Sequence, residues 1–137
     1  VLATACRAAP ADPVERLLAD LTGFVANKDA DAILECLAPE FAGEGGLGRA
    51  DVAGELRRYF ALYKSVEVGL ADVGIDRQPA GATVRFRASL AGKAKDIGGL
   101  AGLVPETARY RFELTLVGEG KQLKIARASW RAMEREP

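Results

Sequence analysis

The apolar spacing of this chain changes once, near Ser65, and that change constrains the fold more than any other feature. Before it, apolar residues recur at helical intervals. Val14, Leu17, Leu18, Leu21, Phe24 and Val25 trace one face of a helix. Asp12 is a suitable N-cap for it, Pro13 suits its first position and Glu15 completes a D-x-x-E start. Asn27-Lys28-Asp29 ends it. A short second helix carries Ile33, Leu34 and Leu37 on its buried side and closes at Pro39. Glu40 to Gly48 is a glycine-rich break. A third helix runs from about Arg49 to Tyr63, with Val52, Leu56, Tyr59, Phe60 and Tyr63 inward and Glu55, Arg57 and Arg58 on a solvated face.

After Ser65 the period is two. Val66 and Val68 begin a strand that reaches about Asp76, with bends expected at Gly69 and Gly74. Gln78-Pro79-Ala80-Gly81 makes a turn. The next strand sets Val84, Phe86, Ala88 and Leu90 against Arg85, Arg87 and Ser89. A long connection, Gly92 to Glu106, leads to a third strand that sets Tyr110, Phe112, Leu114 and Leu116 against Arg111, Glu113 and Thr115. Gly118-Glu119-Gly120 reads as a tight hairpin turn. The last strand buries Leu123 and Ile125, then Ala126, Ala128 and Trp130, so its parity switches and a β-bulge is predicted near Ala126. Trp130 itself is expected to be a buried aromatic.

Helices first and strands afterwards give an α+β fold: three N-terminal helices in the concave face of a curved antiparallel sheet of about four long strands. With 137 residues the chain holds one domain and a full core. The domain spans 12–133, after a leading segment at 1–11 and before a tail at 134–137.

The composition excludes several function classes. The chain has no histidine, which removes the usual His-dependent hydrolases and most zinc and non-haem iron sites. No metal and no cofactor is expected. Nineteen basic residues balance nineteen acidic ones and are spread from Arg7 to Arg135, so no nucleic-acid partner is expected. No stretch approaches the roughly 20 apolar residues of a membrane span. The glycines of 43–48 lack the Lys-Ser/Thr of a phosphate loop. Cys36 falls within a helical apolar pattern and reads as a small core residue. Cys6 follows Val1-Leu2-Ala3-Thr4-Ala5, like the end of a bacterial lipoprotein signal peptide, although Ala3 stands where leucine is usual. The expectation is a lipid on Cys6, a short tether at 7–12, membrane contact only through that lipid, and a place in the bacterial cell envelope, anchored or secreted. The alternative is an incidental cysteine in a tail.

The order helix, helix, glycine-rich break, helix, meander of long strands resembles the nuclear transport factor 2-like superfamily, the cystatin-like α+β roll. The pieces that carry the resemblance are Asn27-Lys28-Asp29-Ala30-Asp31-Ala32, Gly48-Arg49-Ala50-Asp51 and Leu123-Lys124-Ile125-Ala126-Arg127-Ala128-Ser129-Trp130. With Cys6 it looks like an uncharacterised lipoprotein-type member, and Gly98 to Glu106 looks like a loop peculiar to such a subgroup.

The resemblance implies a cone with an open mouth but no fixed activity, since the superfamily holds isomerases, cyclases and dehydratases beside non-enzymatic domains. An isomerase of this fold pairs a carboxylate base with a tyrosine and a protonated aspartic acid. Here only Glu44 is a candidate base, held loosely between glycines, and no second inward carboxylate is visible. The expected role is therefore a non-catalytic envelope domain that binds a small apolar ligand or a protein partner. Phe41, Tyr59, Tyr63, Phe86, Tyr110, Phe112 and Trp130, with Phe24, are the candidate cavity lining, and a filled core is the competing outcome. Two alternatives stand: an isomerase-like or lyase-like enzyme using Glu44, and a structural module. The resemblance implies homodimerisation of such a module through the outer sheet face of Arg85, Arg87, Arg111 and Glu113; a solvated face is the alternative.

Overall fold

The computed structural model describes residues 12–95 and 107–133. Cys6, the 98–106 loop and the tail lie outside the described residues. Helix α1 (Pro13–Ala26) starts as the sequence dictates: the Asp12 carboxylate accepts from the Glu15 amide at 2.9 Å. That bond, followed by the Arg77 guanidinium, holds the Asp12 carboxyl below its usual range. Helix α2 (Ala30–Glu35) is capped by Asp29, which accepts from the Ala32 amide. Helix α3 (Arg49–Leu62) begins at Gly48, whose amide donates to Asp51 at 2.8 Å.

Five strands form one sheet: β1 (Leu37–Gly43), β2 (Tyr63–Gln78), β3 (Gly81–Ala94), β4 (Thr107–Val117) and β5 (Lys124–Ala132), in the order β1-β5-β4-β3-β2. Neighbours are antiparallel except β1 with β5. The four long strands are those expected, and the shorter β1, parallel to β5, adds a fifth. Leu37 belongs to it, not to the second helix, which stops at Glu35. Its pattern hides a strand from periodicity, because Leu37 and Ala38 are both buried, Pro39 intervenes and Phe41 is buried again. Its pairing to β5 slips between Leu37 and Ala42, and Pro39 has no amide to donate, which an edge strand tolerates. The break therefore shrinks to a short turn, Glu44–Gly46, with Gly45 and Gly46 at positive φ.

Two other boundaries move. Tyr63 opens β2 instead of closing α3. The link from β4 to β5 is wider than a tight hairpin, with a helical turn at Gly120–Gln122. The bend expected at Gly69 is absent, for Gly69 pairs regularly with Ser89. The one expected at Gly74 follows a bulge between Ala71 and Gly74, where Asp72 takes a positive φ. The bulge predicted near Ala126 is present: Thr115 faces Arg127 and Leu116 faces Ile125, leaving Ala126 unpaired.

The core is concentrated at the end of the sheet where β3 leaves its hairpin. Ala82 and Val84 are fully buried there, with Leu114, Leu116, Leu123 and Ile125 around them and Val14, Leu18, Leu34 and Leu37 above. Side chains tie the helices to one another and to the sheet. Arg49 donates twice to the Leu34 carbonyl, Lys28 to that of Tyr63 and Lys124 to that of Glu35. Cys36 packs against the core, and burial pushes its thiol pKa up.

Candidate functional site

The other end of the cone is not filled. A cavity of about 420 Å³ lies between α1, α3 and the concave sheet face. Its floor is an aromatic row set by register: Phe86 on β3 faces Phe112 on β4, which faces Trp130 on β5. Phe86 and Phe112 stack with centroids 5.3 Å apart, and Trp130 stands 6.2 Å from Phe112. The Ala126 bulge puts Trp130 in this row, for without it β5 would turn Trp130 outward. Leu21 and Val25 of α1 and Val52 and Leu56 of α3 supply the aliphatic walls.

Of the residues expected to line a cavity, Phe41, Tyr59, Phe86, Tyr110, Phe112 and Trp130 do so. Phe24 and Tyr63 do not. Tyr63 is 4% exposed and sits behind the wall, its ring against Gly92. A Cβ at Gly92 would come within 2.6 Å of that ring, so the glycine makes the seat for Tyr63. Trp130 is half-buried, less enclosed than expected, because the cavity lies against it.

Polar groups are few and gathered. Tyr59 packs on Tyr63 with ring centroids 4.7 Å apart and donates a hydrogen bond to it, and Tyr110 lies close enough to influence both. Burial first, then these two neighbours, pushes the Tyr59 hydroxyl up to about 12; burial likewise raises Tyr63. Tyr59 is therefore a neutral donor at any physiological pH. Glu44 is exposed on the 44–46 turn and is not part of the cavity wall.

The carboxylate that does reach the cavity is Glu55, which sequence reading put on a solvated face. The signal was present: Glu55 and Tyr59 are four residues apart, on one side of α3. Glu55 is exposed at the rim and paired with Arg58. Among the described residues, no group of three His, Cys, Asp or Glu side chains stands where it would hold a metal ion. A second, more open depression of about 470 Å³ runs between α1 and β2 past Thr22, Leu70 and Val73.

No protein-family model matches this sequence, and no curated protein matches it. Solved structures do match in shape. A scytalone dehydratase candidate from Novosphingobium aromaticivorans superposes with a TM-score of 0.76 at 15% identity, over 89% of this chain and 83% of that one. A Caulobacter vibrioides protein of cystatin-like fold gives 0.68 at 11% identity, over 89% and 88%. A nuclear transport factor 2-like superfamily protein of Salmonella enterica gives 0.66 at 12% identity, over 85% and 86%. This chain has the nuclear transport factor 2-like fold. At such identities the likeness concerns architecture alone, and the cystatin-like roll supplies a cone whose lining each sequence sets for itself. Here that lining is aromatic and aliphatic, with the half-buried Tyr59 and Tyr110 among its few polar members.

Proposed function

We propose that this chain is a non-catalytic binding domain that encloses a compact, ring-bearing apolar molecule carrying one hydrogen-bond acceptor. The observation that carries the reading is the cavity of about 420 Å³ floored by Phe86, Phe112 and Trp130, with the Tyr59 and Tyr110 side chains in the same wall. Flat rings stack on such a floor, and burial of apolar surface drives their entry. The Tyr59 hydroxyl is given to Tyr63, so a carbonyl or ether oxygen on the ligand would accept from the Tyr110 hydroxyl. The absence of histidine and the ion-paired state of Glu55 support binding over proton-transfer chemistry.

Trp130 is the only tryptophan in the chain, so its emission reports on the cavity. Titration with 2-decalone, a saturated bicyclic ketone that absorbs only weakly where tryptophan does, should give a saturable change. Native mass spectrometry of protein purified from its own source should show a retained small molecule. If decalone gives no saturation up to its solubility limit and the native mass is that of the bare chain, the binding reading fails.

The dehydratase candidate among the solved structures supports a second reading, a lyase-type activity. In that case the carboxylate at the cavity is Glu55, and the retained molecule would leave the protein with altered mass. We further propose an envelope location through a lipid on Cys6. Cys6→Ser should release the chain from the membrane fraction with its melting curve unchanged; a variant still held there would exclude the anchor.

A further inference from the structure

The outer face of the sheet carries charge that the neutral composition conceals. Inward residues of β3, β4 and β5 alternate with arginines on the reverse side. Arg87 faces Arg111, which faces Arg131, three like charges side by side on adjacent strands. Arg85, Arg109 and Arg127 project from the same side, and Lys93 extends it along β3. Only Glu113 stands among them, and it is taken by Arg85 at 3.1 Å. The face's other carboxylates lie on β2, where Asp72 pairs with Arg87. Arg109, Arg111, Arg127 and Arg131 have no carboxylate partner among the described residues, and the Arg87 Nε is buried without an acceptor. Like charges directly opposite destabilise a ladder, so the row costs stability unless an anion covers it.

We propose that this face docks on an anionic phospholipid surface. Six arginines against one lysine favour phosphate, which the guanidinium fork binds bidentately, over a diffuse attraction that lysine would serve as well. A second copy is disfavoured, because a two-fold contact sets the arginine row against itself. Nucleic acid is disfavoured by shape. The large aromatics of these strands line the cavity behind the face, so no stacking platform remains, and no helix projects to enter a groove. A layer of headgroup phosphates needs neither. The proposal is independent of the cavity's ligand and of any lipid on Cys6.

The test uses the chain of this sequence with Cys6 unmodified, pelleted with vesicles of phosphatidylglycerol and phosphatidylcholine at low salt. Binding to these vesicles, weak binding to pure phosphatidylcholine and loss with added salt are expected. Each arginine removed should weaken binding about fivefold, the factor that corresponds to ~1 kcal/mol per basic residue at such a surface. R111E/R131E should therefore lose well over tenfold, and R57S on α3 should lose nothing. Should R111E/R131E fail to fold, R127S/R131S measures the same face. No pelleting with anionic vesicles, or equal pelleting of the variants, overturns the proposal. So does displacement by a short DNA duplex or polyglutamate at stoichiometric amounts, or a dimer in ultracentrifugation that the R111E/R131E change dissolves.

Discussion

The two faces of β3, β4 and β5 are built from adjacent residues and could hardly differ more. One row across the strands reads Phe86, Phe112, Trp130; the next reads Arg87, Arg111, Arg131. The first gains stability by contact among rings, and its neighbours leave a cavity above it. The second sets like charges together and relies on water or a partner to separate them. The difference teaches that one sheet can separate its tasks by parity alone. Cohesion and enclosure fall on the concave side, and whatever the arginines meet falls on the other.

The largest effect should come from erasing that parity. Deleting Ala128 while the bulge stays at Ala126 would move every later residue of β5 by one, turning Trp130 to solvent and Arg131 toward the core. Buried unpaired guanidinium groups cost more than a marginal domain can lose. The variant should be recovered only as insoluble chain; a soluble protein with native circular dichroism would mean that the bulge can migrate.

Trp130→Ala keeps parity and removes one ring. Since Trp130 is half-buried against a cavity, the loss should be about 2 kcal/mol by denaturant unfolding, below the roughly 3–5 kcal/mol of a fully enclosed aromatic. A full-sized loss would show the cavity to be closed in solution.

Tyr59 sharpens the comparison through pH. Its hydroxyl ionises near 10 when unfolded and at about 12 when folded. The unfolded chain therefore releases its proton first. The stability that Tyr59 contributes is complete below pH 10 and is lost as pH rises toward 12. Tyr59→Phe should flatten that part of the stability profile while leaving neutral-pH stability within about 1 kcal/mol. A wild-type profile already flat above pH 10 would put Tyr59 in contact with bulk water.

Arg111→Ser should change least. It relieves the centre of the like-charge row, so the melting temperature should stay level or rise slightly, within about 0.5 kcal/mol. A clear drop would reveal that Arg111 has a carboxylate partner.

Much of this was legible in the chain. Period-two alternation put Phe86 and Phe112 on one face and Arg85, Arg87 and Arg111 on the other, and the parity switch after Ile125 located the bulge that carries Trp130. Asp12 and Pro13 marked the start of α1 to the residue. What was hidden had physical reasons. Strand β1 is held mainly by its partner β5, so Leu37 to Gly43 carry no alternation of their own. Tyr63 fits the helical spacing that precedes it and the strand that follows, and only its seat on Gly92 decides. The cavity itself depends on how far α3 stands from the sheet, which no residue pattern encodes. Spacing along the chain did not bring Arg109, Arg127 and Arg131 to the arginine face, because residues from 85 to 131 meet only when three strands pair.

The bulge at Asp72 has a consequence for the outermost strand. Strand β2 runs sixteen residues with one side unclaimed by any other strand of the sheet, a length that invites stacking of one molecule upon another into fibres. Asp72 in its left-handed turn breaks the line of amides midway and places a charge beside Val73, so an approaching strand would find neither half long enough to zip against. Straightening that kink by removing Asp72 would leave one continuous edge, open to pairing from one molecule to the next.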